Sequence, residues 1–205
     1  MDRNWPFATH VAVRDGYILA VGDERCAEGW GDAVLDDSFK DSVLLPGFIE
    51  AHAHVSTGGV WRYTYCGHYN RSDPNGKEYL GLDTYDALID RLKKDAEVLP
   101  PDQPIVGWGF DPNFIEGSRL NRAHLDRVSE SRPVIILHSN FHVLTANTLA
   151  LQNSNLLNGS NTEGVLTGAD GLASGELQEF EAMRPVMQKA NVRIEDLSDE
   201  SALKN

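Results

Sequence analysis

Residues 43 to 55 constrain this chain more than any other stretch. An apolar run, Val43-Leu44-Leu45, turns through Pro46-Gly47 and continues as Phe48-Ile49-Glu50-Ala51 into His52-Ala53-His54. Successive side chains of a strand alternate faces, so His52 and His54 point the same way, together with Phe48 and Glu50. Two imidazoles on one face can grip a metal ion from one side. Ser56-Thr57-Gly58-Gly59 is loop chemistry, which puts the pair at the carboxyl end of a strand, where α/β folds keep their sites. A bare His-x-His also arises by chance. The Pro-Gly turn and the strand-end position favour the metal reading.

Upstream, the pattern is that of short strands. His10-Val11-Ala12-Val13 alternates, Arg14-Asp15-Gly16 reads as a hairpin turn with glycine supplying the positive φ, and Tyr17 to Val21 returns. Ala33 to Asp36 and Ser42 to Leu45 read as two more strands. Downstream, residues 61–81 show no clear period and read as a long loop holding Cys66 and His68. A lone loop histidine is ordinarily solvated.

From residue 83 the chain alternates helix and strand. Asp83 or Thr84 caps a helix with apolar positions at Tyr85, Leu88, Ile89, Leu92, Ala96 and Leu99, stopped by Pro100-Pro101. Ile105 to Phe110 is a buried strand, a short helix starts at Asn121, and Val134 to His138 is a second apolar strand. This is an α/β pattern. Leu166 to Gly171 could close a hairpin, and a helix follows around Ala182, Met183, Val186, Met187 and Ala190. Pro185 is compatible with that helix only in its first turn.

Pro46-Gly47-Phe48-Ile49-Glu50-Ala51-His52-Ala53-His54 resembles the first-strand signature of the amidohydrolase superfamily, and Ala12 to Gly22 resembles the small β-sandwich that precedes it there. Gly107-Trp108-Gly109-Phe110-Asp111, the stretch from Arg132 to His142, Asn147 to Leu151 and Gly175-Glu176-Leu177-Gln178-Glu179 resemble the YtcJ-like branch, amidohydrolase family 3, which includes N-substituted formamide deformylases. The resemblance implies an α/β fold. This would be a partial (β/α)8 TIM barrel with part of a β-sandwich over residues 1–45, the barrel portion over 46–205, and an α/β insertion at about 60–170.

It further implies one or two divalent ions, most readily zinc, held by His52, His54 and Glu179. Glu179 would stand where other superfamily members carry a metal-bridging carboxylated lysine, and Glu50 would support the histidines or belong to packing. His142 and Asp111 are the implied catalytic residues, with His138 a further candidate. Each has an ordinary structural reading as well. Asp111 before proline forms turns, Asn147 caps helices, and Glu176 and Glu179 suit a helix start.

A full barrel needs about 250 residues, more than the 205 present. The expectation is therefore an N-terminal portion of a metal-dependent amidohydrolase that hydrolyses a non-peptide C–N bond in an amide, cyclic amide or formamide. The alternative is a non-catalytic fragment that binds metal or a partner. A cupin-like metal binder fits poorly, because a cupin would read as strands throughout.

The formal net charge of −13 disfavours nucleic acid and anionic membrane surfaces as partners. The expected partner is a small amide-type molecule, with homo-oligomerisation left open. Cys26 and Cys66 read as reduced thiols, and no stretch approaches the roughly 18 apolar residues of a membrane span. Cytoplasmic is the default expectation.

Overall fold

A computed structural model describes residues 7–47, 49, 57–158 and 162–193. The chain divides into two compact units, residues 1–51 and 52–205. The first carries an antiparallel hairpin of β1 (His10–Arg14) and β2 (Tyr17–Gly22). Asp15 and Gly16 both take positive φ, 51° and 79°, the backbone of a two-residue turn whose twist matches its strands. The strands expected at 33–36 and 42–45 are not formed. Val34 and Val43 are 96% and 85% exposed. A strand exists only through a hydrogen-bonded neighbour, and none of the described backbone pairs with either segment.

The second unit is a mixed α/β body. Its elements are β3 (Thr64–Tyr65), β4 (Arg71–Ser72), β5 (Glu78–Tyr79), α1 (Tyr85–Ala96), β6 (Ile105–Phe110), α2 (Arg122–Asp126), β7 (Val134–His138), β8 (Val143–Ala146), α3 (Thr148–Asn153), β9 (Val165–Thr167), β10 (Ala173–Gln178) and α4 (Glu179–Lys189). Six strands form one sheet in the order β3-β6-β7-β8-β10-β9. β3, β6 and β7 run parallel, and β8, β10 and β9 continue antiparallel. The span 61–81 is not a plain loop. It supplies edge strand β3 and a small hairpin, β4 with β5.

Both faces of the sheet are covered, which explains the near-continuous apolar runs in β6 and β7. One face packs Leu88, Ile89 and Leu92 of α1 and Leu125 of α2 against Ile105, Val134 and Ile136. The other packs Ala182, Met183, Val186 and Met187 of α4 against Ile135, Leu137, Leu144 and Leu177. Thr84 caps α1, its hydroxyl accepting from Ala87 N, and Asn121 caps α2 in a reciprocal box with His124. Pro185 lies inside α4, past the first turn to which its missing N–H would suit it. The apolar stripe of α4, buried on the sheet, outweighs the local penalty.

A row of paired residues crosses the sheet near one end: Tyr65, Trp108, Leu137, Leu144 and Leu177. Just beyond it β6 bulges, so that Trp108 pairs Leu137 and Phe110 pairs His138. Gly109 takes φ 87° at the bulge. One extra residue reverses the alternation. Trp108 therefore belongs to the α4 side and Phe110 to the α1 side.

Candidate functional site

The topology sends several chain segments to one end of the sheet. β3, β6, β7 and β10 all run toward it, and β8 starts from it. His68, Asp111, Ser139, His142 and Glu179 lie on the connections at that end. The expectation that chemistry collects at the carboxyl ends of strands places these residues without reference to their types.

His142 and Glu179 are brought together by register. Val143 pairs Gln178, so the next residues outward, His142 and Glu179, face each other. Glu179 N donates to His142 O at 2.8 Å, and His142 Nδ1 lies 3.1 Å from Glu179 Oε2. Their side chains remain 60% and 72% exposed, open to a third group. Asn140 Oδ1 accepts from His142 N, and Phe141 turns through φ 59°, fixing the short β7–β8 connection. Glu179 itself has φ 63°, a left-handed conformation unfavourable for a residue with a Cβ. Strain of this kind gathers at functional sites.

Asp111 follows β6 and caps a single 3-10 turn. Its Oδ1 accepts from Asn113 N and Nδ2, and its Oδ2 from Ser139 Oγ at 3.3 Å. The turn expected at Asp111-Pro112 is formed. Asp111 lines a cavity of about 550 Å³ together with Trp61, Tyr65, His68, Trp108 and Phe114. His68 is not simply solvated: it stacks on Phe114 at 4.5 Å and 8°.

His138 points away from this opening. It is 3% exposed, with Nε2 2.9 Å from Thr145 Oγ1 and its ring against Phe110. Burial pulls its pKa down to about 4, so it is a neutral core residue. Glu176, 3% exposed, accepts two bonds from Arg119 and one from Gln178, which assigns it to the core as well. Asn147 caps α3 and ties down the backbone at Ser129, Arg132 and Val134. Cys66 is fully enclosed, and burial pushes its thiol up to about 12. Both cysteines are free.

His52, His54 and Glu50 lie outside the described residues. Among the described residues, no three His, Cys, Asp or Glu side chains converge as a metal-holding set. His142 and Glu179 supply an imidazole nitrogen and a carboxylate oxygen at one exposed point, a donor pair of the kind zinc accepts. Sequence reasoning missed the aromatic walls. Their signal was the density of rings in residues 61–69 together with Trp108 and Phe114.

The sequence profile of the amidohydrolase family matches residues 40–205, which includes every residue of this site. The chain belongs to that family. Its branch is the YtcJ-like group, amidohydrolase family 3. It is 26% identical over 152 residues to Protein LONG AFTER FAR-RED 3 of Arabidopsis thaliana, covering 74% of this chain and 24% of the relative. To YtcJ of Bacillus subtilis it is 29% identical over 150 residues, covering 69% and 25%. The chain thus spans about a quarter of the length of these curated relatives. A solved metal-dependent hydrolase of unassigned role from Pyrococcus horikoshii aligns with 95% of this chain and 36% of its own, at 21% identity and a TM-score of 0.46. Among the described residues, no helix is long and apolar enough to cross a membrane.

Proposed function

We propose that this chain is part of a zinc-dependent amidohydrolase that cleaves a non-peptide C–N bond in an amide, cyclic amide or formamide. The observation that carries the reading is the pairing of His142 with Glu179, 3.1 Å apart at the carboxyl end of β10, in a chain of this family. On this reading β3 to β9 belong to the α/β insertion, at about residues 60–170, of a partial (β/α)8 barrel.

His52, His54 and Glu179 would hold the metal. When bound, the metal polarises the substrate carbonyl and lowers the pKa of its water toward neutrality. Glu179 Oε2 engages His142 Nδ1 at 3.1 Å. With Nδ1 so held, His142 presents Nε2 to the substrate, where it can donate to a carbonyl or take up a proton. Asp111 Oδ2, bonded only weakly to Ser139, accepts a substrate N–H and orients the scissile amide.

The test is hydrolysis of a panel of formamides, anilides and lactams by zinc-loaded protein. Turnover that stops on chelation and returns with zinc supports the reading. Turnover indifferent to chelation overturns it. So does turnover unchanged in His142→Ala.

A further inference from the structure

The cavity beside Asp111 has a composition that the hydrolytic chemistry does not require. Two groups of aromatic rings line it. Trp61, Tyr65 and Trp108 contact one another with centroids 4.9 to 5.7 Å apart. His68, Tyr69 and Phe114 form a second cluster at 4.5 to 5.2 Å, joined to the first where Tyr65 Oη donates to Tyr69 O at 2.8 Å. Both clusters line the same space of about 550 Å³, a volume in the range of small-molecule sites. A metal site and a formyl-sized group would need little of it.

Two charged side chains line it, Arg71 and Asp111, beside His68 and the Ser139 hydroxyl. Asp111 carries the one carboxylate in the lining, and Oδ2 has a single long bond, from Ser139 Oγ at 3.3 Å. A carboxylate oxygen accepts more than one hydrogen bond, so it has room for an N–H. An aromatic lining favours flat ligands, because ring-on-ring contacts gain offset-stacked or edge-to-face geometry that a puckered ring cannot match. The bulge at Gly109 is what aligns these features. It puts Asp111 and Trp108 on the same opening while Phe110 turns into the opposite core.

From this geometry we infer that the chamber binds a flat aromatic or heteroaromatic group bearing an N–H donor, the ring lying against the aromatic lining and the N–H bonded to Asp111. As a statement about substrate it rests on the amidohydrolase reading, and makes the non-reacting part of that substrate an aryl group. As a binding site it requires no metal.

The experiment uses metal-free protein and three probes: benzamide, cyclohexanecarboxamide and N,N-dimethylbenzamide. The readout is the indole N–H resonance of Trp108, a group buried without a hydrogen-bond partner among the described residues and therefore free of competing exchange. Benzamide is expected to shift it saturably. Loss of flatness in the second probe, or of the N–H in the third, is expected to weaken binding about tenfold, the value of one aromatic pair or one hydrogen bond to a charged group. Asp111→Asn should narrow the gap between benzamide and its dimethyl analogue, while Phe114→Leu should narrow that between benzamide and the cyclohexane. Equal affinity of the three probes overturns the inference, as does no response to benzamide at millimolar concentration. Saturable benzamide binding by a protein whose amide turnover is indifferent to chelation would uphold the chamber and refute the proposed function. Hydrolysis without ring selectivity would do the reverse.

Discussion

His142 and Glu179, 37 positions apart in sequence, meet through two contacts: Glu179 N donates to His142 O at 2.8 Å, and His142 Nδ1 stands 3.1 Å from Glu179 Oε2. The antiparallel register of β8 with β10 makes this meeting unavoidable, since Val143 already pairs Gln178. Glu179 holds φ 63° there. Glycine adopts that conformation without the penalty a Cβ brings. Glu179→Gly should therefore be more stable than Glu179→Ala by about 1 kcal/mol, while both lose metal to the same extent. Thermal denaturation with metal analysis checks this, and equal stability of the two variants would remove the strain argument.

Gly109→Ala should destabilise the second unit by about 1–3 kcal/mol. Its φ is 87°, and an added Cβ would lie 3.0 Å from Tyr65 Cε2. The ring can shift only by disturbing its contacts with Trp61 and Trp108. Urea denaturation gives the stability, and a wild-type midpoint would show that the bulge is dispensable.

His138 makes stability depend on pH. Burial lowers its folded pKa to about 4, whereas an unfolded histidine titrates near 6.5. Above 6.5 both states are neutral and the group contributes nothing to the pH dependence. Below it the unfolded chain takes up a proton that the native one refuses, so stability falls between about pH 6.5 and 4, by roughly 3 kcal/mol in all. His138→Gln, which can still bond Thr145, should flatten that segment of the stability–pH curve. An unchanged slope would contradict the assignment.

Asn147 and Arg119 each hold a buried polar network together. Asn147 Oδ1 accepts from Val134 N and Ala150 N, and Nδ2 donates to Ser129 O and Arg132 O. Asn147→Ala strands these groups in the core, and a loss of about 3 kcal/mol or more is expected. The Arg119 side chain is itself 66% exposed, so Arg119→Ala, which leaves the enclosed Glu176 with Gln178 alone, is expected to cost about 1–2 kcal/mol. Adding Glu176→Gln to Arg119→Ala should recover part of it, because the unpaired charge is then gone. Denaturant melts of the three proteins decide, and a double variant less stable than Arg119→Ala would contradict this account.

The elements that sequence exposed were those set by local chemistry. The stripe from Tyr85 to Ala96, the apolar runs of β6 and β7, and the Asp15-Gly16 turn need only neighbours in the chain to declare themselves. β8 was not visible, because Val143-Leu144-Thr145-Ala146 is too short and too weakly patterned to stand out before β7 and β10 pair with it. The segments at 33–36 and 42–45 have strand composition and lack a paired neighbour among the described residues, which composition cannot reveal. At the site, Asp111 and His142 could be singled out only by family resemblance. What no local pattern encodes is that register joins His142 to Glu179, or that a one-residue bulge turns Asp111 toward Trp108. The same limit explains why His138, a strand-end histidine like His54 in sequence, proves to be a core residue.

The central claim is that His52, His54 and Glu179 hold one metal centre. The most direct measurement is elemental analysis of the purified protein alongside the His52→Ala/His54→Ala double variant and Glu179→Gln, each confirmed folded by circular dichroism. The account expects near-stoichiometric zinc in the unsubstituted protein and its loss in both variants. Full zinc retained by either variant, or none in the unsubstituted protein, would contradict it.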